Sequence, residues 1–294
     1  MTSDQEPQSG TVSSFTTHKP TIMAYHERME VRIYSNSYRP GVGLQPRREP
    51  QRPLLPQHAR HCPVLEAGSA LGYLVYPPLE ENESFHIEYL GDGQFRFMFF
   101  IRTPAGKWEG VFAVNVVLPV GSIGKMKEEV EFLVPDPPIT VQNALEMLRT
   151  YIVPEDLGTP PGSVTLRGAT NFKTPEGWDT VFGPVLNMIE RPIAPMMVIR
   201  VETDWFPHES EFRYVLQPGE GLPGTHTMPI GQIYFIKRQE ITLLDCTEEE
   251  MEAIRESKKE FSHEKAALRR TSAYGLEYSP LYARRSRGDK PGKS

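Results

Sequence analysis

The sequence predicts a mainly β protein: an antiparallel β-sandwich or jelly-roll-like fold with one short internal helix and a C-terminal helix. Two patterns predict this class. Apolar and polar residues alternate with a period of two along many short segments, and turns rich in Gly and Pro separate those segments without the regular helices of βαβ units. The 294 residues include 14 Phe, 12 Tyr and 3 Trp, which supply enough apolar surface for a sizeable core.

The N-terminal part is predicted to contain little regular structure. Residues 1–20 are polar and aperiodic, so we expect a disordered leader before a β-rich domain over residues 21–245. Alternation over residues 29–35 predicts a first strand. A Pro-rich arm follows at residues 39–60, and proline, which lacks an amide donor and fixes φ, favours an extended connector there. A docking ligand for an aromatic-lined groove is the alternative.

A β-hairpin is the clearest element of the sequence. Residues 84–90 and 94–103 both alternate, and Gly91, Asp92 and Gly93 between them suit a turn that needs positive φ. A third strand is predicted over residues 108–118, so the three strands form an antiparallel meander with one aromatic face.

The remaining elements complete the β-rich domain. Thr140 is a predicted N-cap for a helix with Val141, Ala144, Leu145 and Leu148 on one side. Further strands are predicted over residues 163–169, 196–203, 211–217, 232–238 and 241–245. Residues 246–294 are assigned to a C-terminal helix, capped by Thr247 and running to about residue 270, and a basic tail.

Composition limits the location and the partners. No apolar run reaches the roughly 18 residues of a membrane span, no secretory signal is visible, and Cys62 and Cys246 are too few for a disulfide framework, so we expect a cytoplasmic protein without a membrane partner. Net charge is -6, although residues 263–294 carry eight Lys or Arg against three acidic residues. This balance argues against nucleic-acid binding except through the basic tail. A homo-oligomer or a protein partner would use the Pro-rich arm and the tails.

One candidate site is a non-haem iron centre. His86 and Glu88 are two residues apart on a predicted strand, which places both on one face, and a distant His226 would complete two imidazoles and a carboxylate. Arg238 is the candidate anchor for the carboxylate of a 2-oxo acid cosubstrate. The alternative interpretation is a strand whose polar face is solvated.

A second candidate site follows the strand over residues 196–203. Glu202, Asp204 and His208 are candidate acid-base residues, because two carboxylates lie beside a Trp and a His at a strand end. A turn in which Trp205 packs and Asp204 binds local backbone donors is the alternative and favoured interpretation. Trp178, Trp205 and Asp204 are the candidate ligand-binding residues of a groove at the rim of the sheets.

Several segments resemble a bacterial and cyanophage family known only as a domain of unknown function. The most specific match is Val201 to Trp205 with Pro207, which resembles a VETDWxP motif, and the others are residues 70–77, 85–91, 172–178 and 183–187. The likeness covers roughly residues 55–245 and departs from the family pattern at residues 208–214 and at His86. The family implies no established activity, substrate or cofactor.

The sequence favours a small-molecule- or protein-binding or assembly module without its own catalysis and without a cofactor. Surplus aromatic and turn residues occur without a recognisable set of catalytic partners. The alternative is a jelly-roll enzyme resembling non-haem Fe(II) oxygenases, which would use Fe(II) and 2-oxoglutarate to modify a small molecule or peptide.

Overall fold

The computed structural model describes residues 29–49, 62–119, 125–188, 197–273, 275 and 277–286. Among these residues strand accounts for 36% and helix for 20%, and the pairings are antiparallel, so the predicted mainly β class is confirmed. The sheets are open, which is consistent with a sandwich. The predicted leader, residues 50–60 of the Pro-rich arm and residues 287–294 of the basic tail lie outside the described residues. No helix in the described part of the chain has the length and apolar character to cross a membrane.

Most strands belong to two sheets. In chain order the strands are β1 Arg32–Ser35, β2 Tyr73–Val75, β3 Glu83–Gly91, β4 Gln94–Arg102, β5 Trp108–Val117, β6 Lys127–Phe132, β7 Ser163–Arg167, β8 Thr170–Lys173, β9 Trp178–Gly183, β10 Ile199–Val201, β11 Glu211–Val215, β12 Gly221–Thr225, β13 Gly231–Lys237, β14 Arg270–Thr271 and β15 Glu277–Tyr278. The five-stranded sheet has the order β12-β3-β4-β5-β6, and the four-stranded sheet has the order β10-β9-β13-β2. Strands β1 and β8, β7 and β11, and β14 and β15 form pairs.

The helices are α1 Pro63–Ser69, α2 Val141–Tyr151, α3 Glu248–Ala267 and α4 Leu281–Ser286, with a 3-10 turn at Pro154–Asp156. Both predicted capped helices are confirmed. Thr140 and Thr247 each accept a hydrogen bond from the backbone N–H three residues later, and the side chains of Asn143 and Glu250 complete a capping box.

The predicted hairpin is strands β3 and β4. Gly91, Asp92 and Gly93 have φ of 98°, 48° and 74°, which is why glycine and aspartate occupy the turn. Strand β5 is the predicted third strand of the meander. The aromatic face of the meander is buried as expected, with Phe95, Phe97 and Phe99 almost fully shielded from solvent.

Helix α2 contributes the side chain that covers this aromatic face. The ring of Tyr151 lies 5.3 Å from that of Phe85, 6.0 Å from Phe97 and 5.9 Å from Phe99, measured between centroids. Its hydroxyl accepts a hydrogen bond of 2.8 Å from Arg39 Nη1, so it is not left unpaired in the core. Burial raises the pKa of Tyr151, which therefore stays protonated.

The described part of the Pro-rich arm, residues 39–49, is anchored to the sheets at both ends. Arg39 pairs with Glu83 at the start of β3, with Nη2 2.8 Å from Oε1. Arg47 forms an isolated antiparallel bridge with Leu74 of β2. Residues 39–43 form a turn and bends, so only residues 44–49, which lead through the bridge, agree with the extended connector that the prolines predict.

The strand predicted over residues 241–245 is wrong. This segment is irregular, and Ile241, Leu243 and Leu244 are exposed. Alternation describes only one strand, whereas a strand also needs a neighbour to satisfy its backbone groups. Strand β13 ends at Lys237, and the chain beyond it leads directly to the exposed helix α3.

The two capping boxes provide a matched pair of variants. Thr140→Ala is expected to lower the free energy of unfolding by about 1 kcal/mol, because α2 packs into the core and loses a backbone cap. Thr247→Ala removes the same motif from α3, whose residues are all at least partly exposed, and is expected to reduce helicity while leaving the unfolding midpoint unchanged. Urea unfolding followed by near- and far-UV circular dichroism checks both. Equal midpoint shifts in the two variants would contradict this prediction.

Candidate functional site

The two turns that carry the predicted tryptophans meet at one edge of the four-stranded sheet. Strands β9 and β10 are neighbours, and Val201 lies opposite Thr180. The backbone N–H of Gly177 donates a hydrogen bond of 2.9 Å to Asp204 Oδ2. Trp178 directly follows Gly177, and Trp205 directly follows Asp204. The structure therefore brings together the turns that carry these candidate ligand-binding residues, although they are 27 residues apart in the chain.

A buried carboxylate holds this edge together. Asp179 is fully buried and accepts hydrogen bonds from Arg200 Nε at 2.5 Å and from Arg238 Nη2 at 2.6 Å. Arg238 Nη2 also lies 2.8 Å from Asp204 Oδ1. We call these four residues, Asp179, Arg200, Asp204 and Arg238, the Arg238 network. It links strands β9 and β10, the residue after β13 and a turn through charge-assisted hydrogen bonds, which are the stronger kind.

The charges of the network fix its protonation. Burial alone would raise the pKa of Asp179, but the hydrogen bonds from Arg238 and Arg200 outweigh it, so the pKa lies below its ordinary value. The hydrogen bond from Arg238 likewise lowers the pKa of Asp204. Both carboxyl groups are therefore ionised near neutral pH, and each is occupied by an arginine. Arg238 therefore binds the carboxylates of Asp179 and Asp204 and not that of a cosubstrate.

Three threonine hydroxyls support the turn from beneath. Thr174 Oγ1 donates to the carbonyl oxygen of Trp178 at 2.6 Å and lies 2.9 Å from Thr203 Oγ1, which lies 2.7 Å from Thr180 Oγ1. Because a hydroxyl has one proton, Thr203 must donate to Thr174, and Thr180 must donate to Thr203. The chain of hydroxyls thus has one direction, and it fixes the turn before Trp178 to the turn after Val201.

The surface above the Arg238 network is aromatic. Trp205 is 67% exposed and Phe206 is 45% exposed. Their ring centroids are 5.7 Å apart, and the ring of Phe206 is also 5.7 Å from that of His208. We call Trp205 and Phe206 the aromatic rim; the side chain of His208, which is only 18% exposed, packs against Phe206. Trp178 is partly buried at the start of β9, next to the turn that holds Trp205.

The candidate acid-base residues do not act together. Glu202 accepts the indole N–H of Trp205 at 2.5 Å and lies 3.6 Å from Arg238 Nη2. His208 contacts Glu211, with Nε2 and Oε2 3.8 Å apart, and Phe206. Among the described residues, Glu202 and Asp204 are therefore engaged in holding the turn, and His208 belongs to a separate cluster. The alternative interpretation of this segment agrees with the structure only in part. The segment is a turn, but the backbone donor that Asp204 binds is Gly177, 27 residues away rather than local, and Trp205 is 67% exposed rather than packed.

That separate cluster is a feature that sequence reasoning missed. Arg167 of β7 lies opposite Glu211 of β11, and the Glu211 carboxyl group lies 4.0 Å from Arg167 Nη2 and 3.8 Å from His208 Nε2. Burial raises the pKa of Glu211 to about 7; Arg167 opposes this shift, while Asp156 and Glu209 add to it. Burial also lowers the pKa of His208. We call Arg167, His208 and Glu211 the Arg167 cluster. The sequence did contain a signal for this cluster, because Arg167 and Glu211 are charged residues within predicted strands.

The candidate iron ligands do not converge. His86 and Glu88 share a face of β3 as predicted. Thr225 pairs with Ser84 at the start of β3, so His226 follows at that end, whereas Glu88 lies four residues, about 13 Å, further along. His226 Nδ1 instead lies 2.6 Å from the carbonyl oxygen of Leu79.

No group of three or more His, Cys, Asp or Glu side chains within the described ranges is placed to hold a metal ion. Arg238, the candidate cosubstrate anchor, is already paired with Asp179 and Asp204. The residues predicted for an Fe(II) and 2-oxoglutarate site therefore do not fit such a site.

The fold and the site define a mainly β protein with an exposed aromatic rim on an ion-paired turn. No protein-family model, curated protein or solved structure matches this chain. The resemblance of residues 172–178 and 201–207 to the bacterial and cyanophage family stays a prediction. What the structure adds is that these two segments touch, through Gly177 and Asp204.

Proposed function

We propose that this protein is a binding module without its own catalysis, and that it holds a small molecule on the aromatic rim. The observation that carries the proposal is Trp205, which is 67% exposed on a turn fixed by the Arg238 network. A large exposed aromatic surface is a common feature of binding sites, and a rigid turn loses little conformational entropy when a ligand binds.

The state of the neighbouring carboxylates supports binding rather than turnover. A general acid must hold a proton near the working pH, but the pKa of Asp204 lies below its ordinary value because Arg238 donates to it. Glu202 is engaged by the indole N–H of Trp205. Glu202 and Asp204 therefore position Trp205. A ligand would contact the ring faces of Trp205 and Phe206.

Stacking on Trp205 can be tested with small molecules whose ring faces pack on tryptophan. Indole, adenosine and cellobiose are titrated separately, and binding is followed by tryptophan fluorescence and thermal stabilisation. A probe that binds the wild-type protein is expected to lose affinity by about tenfold or more in Trp205→Ala, since a central tryptophan contributes roughly 2 kcal/mol to such contacts.

Trp108→Ala is the matched control, because Trp108 is 42% exposed but lies at the start of β5 in the other large sheet. We expect this variant to bind as the wild-type protein does. Equal losses in both variants, or no binding of any probe to the wild-type protein, would contradict binding on the rim. Conversion of a probe to a product, detected by mass spectrometry, would contradict a module without catalysis.

A further inference from the structure

Arg167 is a buried cation whose donors the protein leaves largely unused. Its side chain is only 6% exposed. Among the described residues, Nε and Nη1 have no hydrogen-bond partner, and Nη2 lies 4.0 Å from Glu211 Oε1, too far for a hydrogen bond. A guanidinium keeps its charge at any physiological pH, so burial without partners is unfavourable. These donors are positioned to bind an acceptor that is not part of the described chain.

A second unpartnered polar atom lies on the other side of Glu211. His208 Nε2 is buried without a hydrogen-bond partner among the described residues, 3.8 Å from Glu211 Oε2. Arg167 and His208 thus approach different oxygens of one carboxyl group, from β7 and from the segment before β11. A neutral imidazole can present a donor at Nε2, which adds a further contact for a bound oxygen atom.

The exposed side chain of Tyr38 lies over this cluster. The ring of Tyr38 covers the Arg167 guanidinium, with 3.9 Å from the ring centroid to Cζ, and Tyr38 is itself 51% exposed. Its backbone is fixed, because the N–H groups of Tyr38 and Arg39 both donate to Asn36 Oδ1. Rotation of this exposed side chain into solvent, with the loop in place, is the path to Arg167 that we infer for a small ligand.

We propose that Arg167 and His208 bind the carboxylate group of a small molecule beneath Tyr38. A guanidinium matches the geometry and charge of a carboxylate. Two other carboxylates lie nearby: Glu209, which accepts from Asn171 Nδ2 at 2.6 Å, and Asp156, which pairs with Arg213. They repel a dianion more than a monoanion, so a carboxylate is favoured over phosphate at a pH where phosphate is mainly a dianion. This site is distinct from the exposed ring faces of Trp205 and Phe206.

Binding should depend on the protonation of Glu211. The groups that face it are the cations Arg167 and Arg213, the carboxylates Asp156 and Glu209, and His208. An incoming anion is repelled by an ionised Glu211 but can accept a hydrogen bond from the protonated form. Because burial raises the pKa of Glu211 to about 7, the protonated fraction falls about tenfold between pH 6 and pH 8, and the affinity should fall with it.

The experiment titrates sodium acetate into the full chain at constant ionic strength, with sodium chloride as the balancing salt. Binding is followed by ligand-observed NMR and thermal stabilisation. We expect acetate to bind about tenfold more tightly at pH 6 than at pH 8, and at pH 8, where inorganic phosphate is mainly a dianion, more tightly than phosphate. These comparisons use the wild-type protein alone, so they do not depend on a variant that folds.

Two arginine variants then locate the site. Arg167→Met is expected to weaken acetate binding at least about tenfold, as loss of a charged hydrogen-bonding partner does. Arg96→Met, which removes an arginine paired with Glu131 on the meander, should leave binding unchanged. Acetate binding that is absent, independent of pH, weaker than phosphate binding at pH 8, or equal in Arg167→Met and wild type would each overturn the proposal.

Discussion

Asp179→Ala is expected to lower the free energy of unfolding by about 3 kcal/mol, the lower end of the range for breaking a buried ion pair. Asp179 is fully buried and accepts hydrogen bonds from Arg200 and Arg238, and its removal leaves both guanidinium groups without their shared carboxylate. The cost stays at the lower end because both arginines are partly exposed and can be hydrated. The shift in the midpoint of urea unfolding, with the slope unchanged, measures it.

A surface ion pair provides the control for this variant. Glu131 of β6 pairs with Arg96 of β4 at 2.8 Å, and both side chains are partly exposed. Glu131→Ala is expected to change the free energy of unfolding by less than about 1 kcal/mol, since exposed pairs contribute little. Similar effects of the two substitutions would show that water reaches Asp179 and that the Arg238 network does not stabilise the turn.

Local signals in the sequence predicted the meander and the capped helices. Strands β3 and β4 could be predicted because apolar and polar residues alternate along each strand and Gly91-Asp92-Gly93 marks the turn between them. The start of α3 was readable because Thr247 and Glu250 stand at capping-box spacing. In each case the determining residues lie within a few positions of one another.

Strand β9 was not predicted, although it carries the centre of the site. After Trp178, the residues of this strand are buried on both of its faces. The sequence therefore lacks the polar and apolar alternation that marks a strand with one solvated face. It contains Asp179, whose partners Arg200 and Arg238 are 21 and 59 residues away. A long-range ion pair leaves no periodic signal, and its geometry becomes visible only when the sheet order is known.

For Arg238 the chemistry was predicted correctly but the partner was not. Arginine was chosen as an anchor for a cosubstrate carboxylate, and it does bind carboxylates, but they are those of Asp179 and Asp204. Asp204 and Glu202 were likewise chosen as acid-base candidates, whereas the structure engages both in fixing the turn that exposes Trp205. Residue type indicates which contacts a side chain prefers, and the fold decides whether the protein itself supplies them.

Glu211→Gln is expected to raise the free energy of unfolding at pH 8 by about 3 kcal/mol. Burial raises the pKa of Glu211 to about 7 from its ordinary value of 4.5, so the folded protein holds this proton more tightly than the unfolded chain. The stability that Glu211 contributes is complete below about pH 4.5 and is lost as the pH rises through 7. Glutamine resembles the protonated glutamate side chain but does not titrate, so the variant does not lose stability as the pH rises through 7. Urea unfolding of both proteins across the pH range measures the difference.

The pH dependence of the free energy of unfolding, measured for the wild-type protein and for Glu211→Gln, is more informative than the difference at pH 8 alone, because His208 also titrates. Burial lowers the pKa of His208 from 6.5, so the unfolded chain takes up this proton first, and His208 makes stability rise with pH through the region just below 6.5. Glu211 acts in the opposite direction, so the two contributions partly cancel in the wild-type protein. Glu211→Gln should leave the rise due to His208 visible, and the two curves should converge toward pH 4.5. A constant separation between them from acid to pH 8 would show that the Glu211 carboxyl titrates normally, because contributions from distant groups cancel in the difference.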